Sequence, residues 1–230
     1  MDDTQRLRLI GEAAAAEVPN GATIGLGTGS TANAMLHALG ERVREGLTVT
    51  GVTTSEATTR LAGELGIPVV PLDEVELLDL GIDGADEIDP QLNLVKGKGG
   101  ALLYEKLVAE RTRRFIVIAS SEKLVDQLGT RLPLPVEVVP FGHTHTMRVI
   151  SSLGLSPVLR LRGDGTPFVS DGGHYIVDCN TGPIADAANL AASLKAITGV
   201  VEHGLFIGIT AVALTVDADG SVTRHKAKAG

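Results

Sequence analysis

Short apolar runs alternate with longer amphipathic stretches along the first half of the chain. Leu7, Ile10 and Ala14 recur at helical spacing within residues 4–17, and Asn20-Gly21 then breaks the pattern. The apolar run Ala22–Leu26 reads as a strand, followed by a helix over residues 32–44 whose amino end lies at Ser30 or Thr31. Residues 48–53 read as a strand, and residues 54–65 as a helix capped by Thr54 or Ser55 and closed by Gly66. Strands over residues 67–71 and 77–82, a helix over 100–111 and a strand over 115–119 complete this half. Strands alternating with helices predict a parallel sheet covered on both faces.

Pro133-Leu-Pro135 marks a change of character. Beyond it the pattern predicts a strand (136–139), a helix (146–153), two strands (158–162 and 175–178), a helix (184–197) and a strand (200–202). That β-α-β-β-α-β order is the ferredoxin-like arrangement, with turns at Gly163-Asp-Gly165 and Asp171-Gly-Gly173. The apolar stretch over residues 205–216 is too long for one average strand and is expected to return to the first sheet. Asp217-Ala-Asp-Gly220 then turns the chain into a hairpin edge at residues 221–225, and residues 226–230 are expected to fray. The expected division is a mostly parallel α/β catalytic domain (1–131 and 204–230) interrupted by a smaller α+β domain (132–203).

Composition narrows the possibilities. The 230 residues are 43% hydrophobic but only 3% aromatic, without Trp, so the core falls to Val, Ile, Leu and Ala, as in helix-covered parallel sheets. A formal charge of −8, with no basic run, argues against a nucleic-acid partner. Cys179 is the single cysteine, which excludes an intramolecular disulfide, and its apolar setting reads as a buried strand thiol rather than a nucleophile. The opening residues lack a signal-peptide core and no run approaches the length of a membrane span; a soluble, cytoplasmic protein is expected, with no membrane partner. His143 and His145 are the one close histidine pair, and with no third ligand nearby no metal is expected.

Two stretches carry candidate chemistry. In residues 83–106, acids (Asp83, Asp86), a lysine (Lys96), glycines (Gly97, Gly99, Gly100) and Glu105 follow an apolar strand. The carboxyl edge of a parallel sheet is where ligands bind, and glycines let backbone N–H groups turn toward an anion. Each half alone is also compatible with a solvated acidic loop and a flexible turn. In the second stretch, Gly25-Leu-Gly27-Thr-Gly29-Ser30-Thr31 links a strand to a helix, where free N–H groups and the helix dipole favour an anion. It lacks the third glycine of the dinucleotide fingerprint and the Gly-Lys-Ser/Thr ending of a P-loop, and its hydroxyls suit a single phosphate group. Ser30 is also expected to cap the helix. Lys123, just past the 115–119 strand, lies on the same edge.

With these residues in place, the chain resembles the type A ribose-5-phosphate isomerases. The resemblance rests on residues 25–32 (GLGTGSTA), 80–88 (LGIDGADEI), 96–106 (KGKGGALLYEK), 132–139 (LPLPVEVV) and 199–206. It implies a Rossmann-like domain with a ferredoxin-like insertion, and interconversion of ribose 5-phosphate and ribulose 5-phosphate without a cofactor, by homodimers or homotetramers. It further implies Glu105 as the catalytic base, with Lys96, Asp83 and Asp86 as catalytic partners. The sugar phosphate would lie against Thr28, Gly29, Ser30, Thr31, Asp83, Gly84, Ala85, Asp86, Lys96, Gly97, Lys98, Gly99 and Lys123. Lys98 stands where relatives often carry glycine, either pointing outward or adding a phosphate contact. Thr53-Thr54-Ser55-Glu56 replaces a more serine-rich stretch and is expected not to touch the chemistry. A coenzyme A transferase of related architecture would not carry this acid-lysine-glycine set, and a sugar-phosphate-sensing regulator would bring a DNA-binding helix-turn-helix.

Overall fold

The computed structural model describes residues 1–227, so the fraying expected of residues 226–230 lies, from Lys228 onward, outside the described residues. Helix α1 (Asp3–Ala16) opens with a capping box in which the Asp2 side chain accepts from Gln5 N. The chain continues through β1 (Ala22–Leu26), α2 (Ser30–Arg44), β2 (Val49–Thr53), α3 (Glu56–Glu64), β3 (Leu80–Gly84), β4 (Glu87–Ile88), β5 (Leu94–Val95), α4 (Leu102–Glu110) and β6 (Phe115–Ser120). Then come β7 (Leu134–Val138), α5 (His143–Ser151), β8 (Ser156–Leu159), β9 (Tyr175–Asn180), α6 (Ala187–Lys195), β10 (Val200–His203), β11 (Leu205–Phe206), β12 (Thr210–Val216) and β13 (Val222–His225).

Six strands form the main sheet in the order β13-β12-β6-β3-β1-β2, parallel except for the antiparallel β12–β13 hairpin. Ile10, Met35, Leu36 and Leu39 of α1 and α2 pack with Ile24, Leu26, Ile82, Ile116 and Ile118 in one buried cluster. Ala109, Phe115, Val117, Phe206 and Ala213 share a second cluster. Four strands in the order β10-β7-β9-β8, all antiparallel, form the ferredoxin-like unit with its own buried cluster around Val136, Ile150, Val177, Cys179 and Leu194. Among the described residues no helix is long and apolar enough to cross a membrane.

Several local expectations are corrected. The strand expected at residues 67–71 is a single bridge between Gly51 and Val69, because Pro68 and Pro71 lack the N–H groups that would extend the ladder. Strand β3 runs past Ile82 and takes Asp83 into the sheet. Ser30 is not a cap: Gly29 occupies the N-cap at φ 113°, where a side chain is disfavoured, and no side-chain hydrogen bond closes the helix start. The apolar stretch read as too long for one strand and expected to return to the main sheet divides: β12 does join β6 there, while β11 joins β5 in a small β11-β5-β4 sheet. Two-residue strands carry too little alternation to be read from sequence.

Candidate active site

Strands β6, β3 and β1 are neighbours, and a cavity of about 430 Å³ opens at their carboxyl ends. Its wall takes Thr28, Gly29, Ser30 and Thr31 from the β1–α2 turn, and Gly84, Ala85 and Asp86 from the end of β3 and the loop beyond it. Lys96, Gly97, Lys98 and Gly99 follow β5, Glu105 comes from α4, and Lys123 from the turn after β6. The fold thus brings the expected catalytic and sugar-phosphate residues to one cavity wall, save Asp83, which lies beneath it with 1% of its surface exposed.

Lys96 is the electrostatic centre. Its Nζ donates to Gly84 O at 2.6 Å and lies 3.0 Å from Asp83 Oδ2 and 3.2 Å from Glu105 Oε2, with the Phe206 ring 5.5 Å away. All three side chains are buried. Burial drives the Glu105 carboxyl upward, Lys96 pulls it back and the Asp83 charge adds to the rise, leaving it pushed up to about 8. Burial also raises Asp83 above its ordinary range, against the pull of Lys96 and of two N–H donors, Gly84 at 2.7 Å and Thr28 at 3.1 Å, which both serve its Oδ1. For Lys96, burial alone would favour the neutral amine, but Asp83 and Glu105 outweigh it and hold the ammonium above the usual lysine range. One cation thus serves two carboxylates. Two backbone donors favour the charged form of Asp83, whereas Glu105, with no backbone donor among the described residues, holds a proton more readily.

The β1–α2 turn is shaped by Asp83 from below. A Cβ on Gly27 would lie 2.2 Å from Asp83 Oδ1 and 2.6 Å from its Cα, so only glycine lets the turn close over the carboxylate. The Thr28 hydroxyl faces away from the phosphate position expected for it. It sits 2.7 Å from Thr54 Oγ1, 2.9 Å from Ser55 Oγ and 3.0 Å from Thr58 Oγ1, while Thr58 also donates to Gly27 O. The expectation that residues 53–56 stand apart from the chemistry is therefore corrected: Thr54 and Ser55, with Thr58, brace the anion turn. The hydroxyl run at the start of α3 was visible in the sequence but read only as a helix cap. Its reach to Thr28 depends on β2 lying beside β1. Lys123 is held through its neighbour, since the Glu122 carboxylate accepts from Arg6 at 3.3 Å and its carbonyl accepts from Arg131.

The acid run after β3 divides among separate tasks. Asp86, on the cavity wall, accepts from Lys98 N at 3.0 Å, and the Lys98 side chain is exposed at the mouth. Glu87 turns away, fully buried, and accepts from Gly129 N and Arg131 N at 2.6 Å and Leu132 N at 3.0 Å, tying down the approach to β7. Asp89 closes its own turn through Gln91 N and Asn93 N. Elsewhere, Cys179 is buried in β9 with its thiol pushed up to about 12 by burial, which makes it a packing residue. His143 bonds to Pro140 O and meets the Tyr175 ring edge-on.

Known proteins resemble this chain over most of its length. The family model described as Ribose 5-phosphate isomerase A (phosphoriboisomerase A) matches residues 50–220. A ribose-5-phosphate isomerase A of Roseiflexus sp. (strain RS-1) is 53% identical over 227 residues, covering 98% of this chain and 97% of that protein. Its counterpart in Nitrobacter hamburgensis is 54% identical over 209 residues, covering 88% and 90%. Among solved structures, ribose 5-phosphate isomerase A from Methanocaldococcus jannaschii matches with a TM-score of 0.93 at 37% identity, covering 98% of this chain and 100% of that one. A D-ribose-5-phosphate isomerase in complex with phospho-erythronic acid matches with a TM-score of 0.95 at 34% identity, again covering 98% and 100%. In sequence over nearly its whole length, and in its Rossmann-like sheet with a ferredoxin-like unit, this chain belongs to the ribose 5-phosphate isomerase A family.

Proposed function

We propose that the protein interconverts D-ribose 5-phosphate and D-ribulose 5-phosphate through an enediol(ate), with Glu105 carrying the proton between C2 and C1. The observation behind this reading is a buried glutamate pushed up to about 8, 3.2 Å from the Lys96 ammonium, on the wall of a cavity whose other side is an uncapped helix start. A carboxyl in that range is basic enough to take a proton next to a carbonyl and acidic enough to return it.

In the forward direction the Glu105 carboxylate removes the C2 proton. The C–H electron pair becomes the C1–C2 double bond and the carbonyl pair moves to O1, where Lys96 and the Gly99 N–H offset the developing charge. Glu105 then delivers the proton to C1, the proton leaving O2 is made up at O1, and C2 becomes the carbonyl while C1 keeps a hydroxyl. Asp86, on the wall, holds sugar hydroxyls and assists ring opening; Asp83, beneath it, acts through Lys96 and Glu105. The phosphate anchors on the backbone N–H groups at residues 29–31 and on Lys123, supplying orientation from a part of the substrate that does not react. Phospho-erythronic acid, bound by the relative described above, pairs a phosphate with a carboxylic acid, which suits one anion site at each end of such a cavity. We further propose residues 1–131 with 204–230 as the catalytic domain, 132–203 as the insertion, and a cytoplasmic homodimer as the working form.

The test is Glu105→Gln, assayed with a chelator present. The variant is expected to keep its fold and bind the sugar phosphate, yet lose both isomerisation and exchange of the C2 proton with solvent. Near-normal turnover in that variant would sink the assignment.

A further inference from the structure

Arg160, just past β8 in the ferredoxin-like unit, reaches across to the Lys96–Gly100 segment, and neither its charge nor its spacing marked it in the sequence. Its Nε and Nη2 form a fork on Asp178 of β9, at 2.8 Å and 2.5 Å. Its remaining nitrogen, Nη1, donates to two consecutive carbonyls, Gly97 O at 3.1 Å and Lys98 O at 2.9 Å. The Arg160 backbone is held as well, donating to Ile176 O and accepting from Phe168 N. The Phe168 ring packs on Gly100, where a Cβ would lie 2.4 Å from it.

Residues 97–100 form a β-turn closed by Gly100 N donating to Gly97 O at 3.0 Å. In such a turn the central peptide, here Lys98–Gly99, is the one that flips between type I and type II, and a glycine at the third position permits both. A trans peptide sets its N–H opposite its C=O. With Lys98 O on Arg160, the Gly99 N–H is directed to the other side, toward the cavity that Gly99 lines, and it has no protein acceptor among the described residues. Gly99 keeps φ outside the left-handed region, as type I requires. A flip would replace that donor with the Lys98 carbonyl oxygen, an acceptor facing the position where negative charge develops.

We propose that Arg160 is a positioning residue that locks the 97–100 turn in the form presenting Gly99 N–H to the reacting oxygens. This rests on the isomerase reading given above. The lock comes from a different part of the chain than the turn, so the insertion acts on the chemistry without touching the substrate.

The test is a double-mutant cycle between Arg160→Met and Gly99→Ala, with Arg160→Lys as a second variant that keeps a cation beside Asp178 but has no planar fork. Arg160→Met and Arg160→Lys are expected to lower kcat by roughly 10- to 100-fold, with KM within about threefold, because one oxyanion donor is misdirected while the phosphate anchor stands. Alanine at position 99 disfavours the positive φ of the flipped turn and meets nothing within 4 Å, so Arg160→Met should cost far less kcat in the Gly99→Ala background. Equal losses in both backgrounds, or unchanged kcat in Arg160→Met, overturn the proposal. Amide hydrogen exchange without substrate reads the lock independently of activity. Faster exchange over residues 95–102 in Arg160→Met supports it, and unchanged exchange overturns it. A wild-type protein that failed to isomerise the pentose phosphate would defeat the functional reading, while the exchange result would still decide whether Arg160 holds the turn.

Discussion

Replacing Asp83 with asparagine isolates the electrostatics of the site. Asparagine can still accept from Thr28 N and Gly84 N through Oδ1, so the turn keeps its support while the buried negative charge is lost. Asp83 Oδ2 and Glu105 Oε2 both lie against Lys96 Nζ, at 3.0 and 3.2 Å, so those oxygens are at most about 6 Å apart. Two unit charges at roughly 6 Å interact by about 3 kcal/mol at an effective dielectric constant near 20, or about two pH units. Removing Asp83 also leaves Lys96 to Glu105 alone, which acts in the same direction. Glu105, pushed up to about 8 in the wild-type protein, should therefore fall to about 6 in Asp83→Asn. The ionised form is the base, so kcat/KM should rise tenfold per pH unit below the bend and flatten above it. The bend is expected near pH 8 for wild type and about two units lower for the variant, whatever happens to the plateau height. The assay is kcat/KM for ribose 5-phosphate from pH 5 to pH 9.5, read as the difference between the two proteins so that ionisation of the substrate phosphate cancels. A wild-type profile flat between pH 6 and pH 9, or a variant bend unmoved or shifted upward, would refute the charge assignment. The stability sign is fixed too. A carboxyl raised from 4.5 to about 8 on folding contributes stability below pH 4.5 that is lost as pH climbs toward 8, and Asp83→Asn should flatten that loss.

Two further substitutions test the scaffold. Gly27→Ala forces a methyl against Asp83 Oδ1 and backbone, and is expected to cost about 1–3 kcal/mol in urea unfolding and to abolish measurable turnover; an active, fully stable Gly27→Ala protein would show that the turn has room it is not expected to have. Lys106, next to Glu105 on α4, donates to Glu202 Oε1 and His203 O, both at 2.7 Å, while Glu202 has a second cation in Lys195 at 2.7 Å. Glu202→Gln strands a buried ammonium and should cost about 3–5 kcal/mol, whereas Lys106→Met leaves Glu202 paired and should cost distinctly less; equal losses by thermal and urea unfolding would count against this asymmetry.

Much of the architecture was legible because it is locally encoded. Apolar runs bounded by glycine and asparagine mark β1 and β2, helical spacing marks α1, and the β-α-β-β-α-β order marks the second sheet, each depending on neighbouring residues alone. Glycine at 27 and 29, the lysine-glycine run and Glu105 on the following helix likewise announced an anion-handling stretch through residue type. What the sequence by itself determined was which residues have the chemistry and which short segments are strand, turn or helix. Tertiary structure decided the rest, because burial and distance arise only after the strands are ordered. Placing β3 between β1 and β6 puts Asp83 beneath Gly27 and leaves Asp86 on the wall, although the two acids are three residues apart and alike in sequence. Setting β2 beside β1 brings Thr54 to Thr28, and docking the second sheet on the first brings Arg160 to Lys98. The range of Glu105 belongs to the same class: a carboxylate acquires it only when folding removes water and leaves two acids to share one lysine.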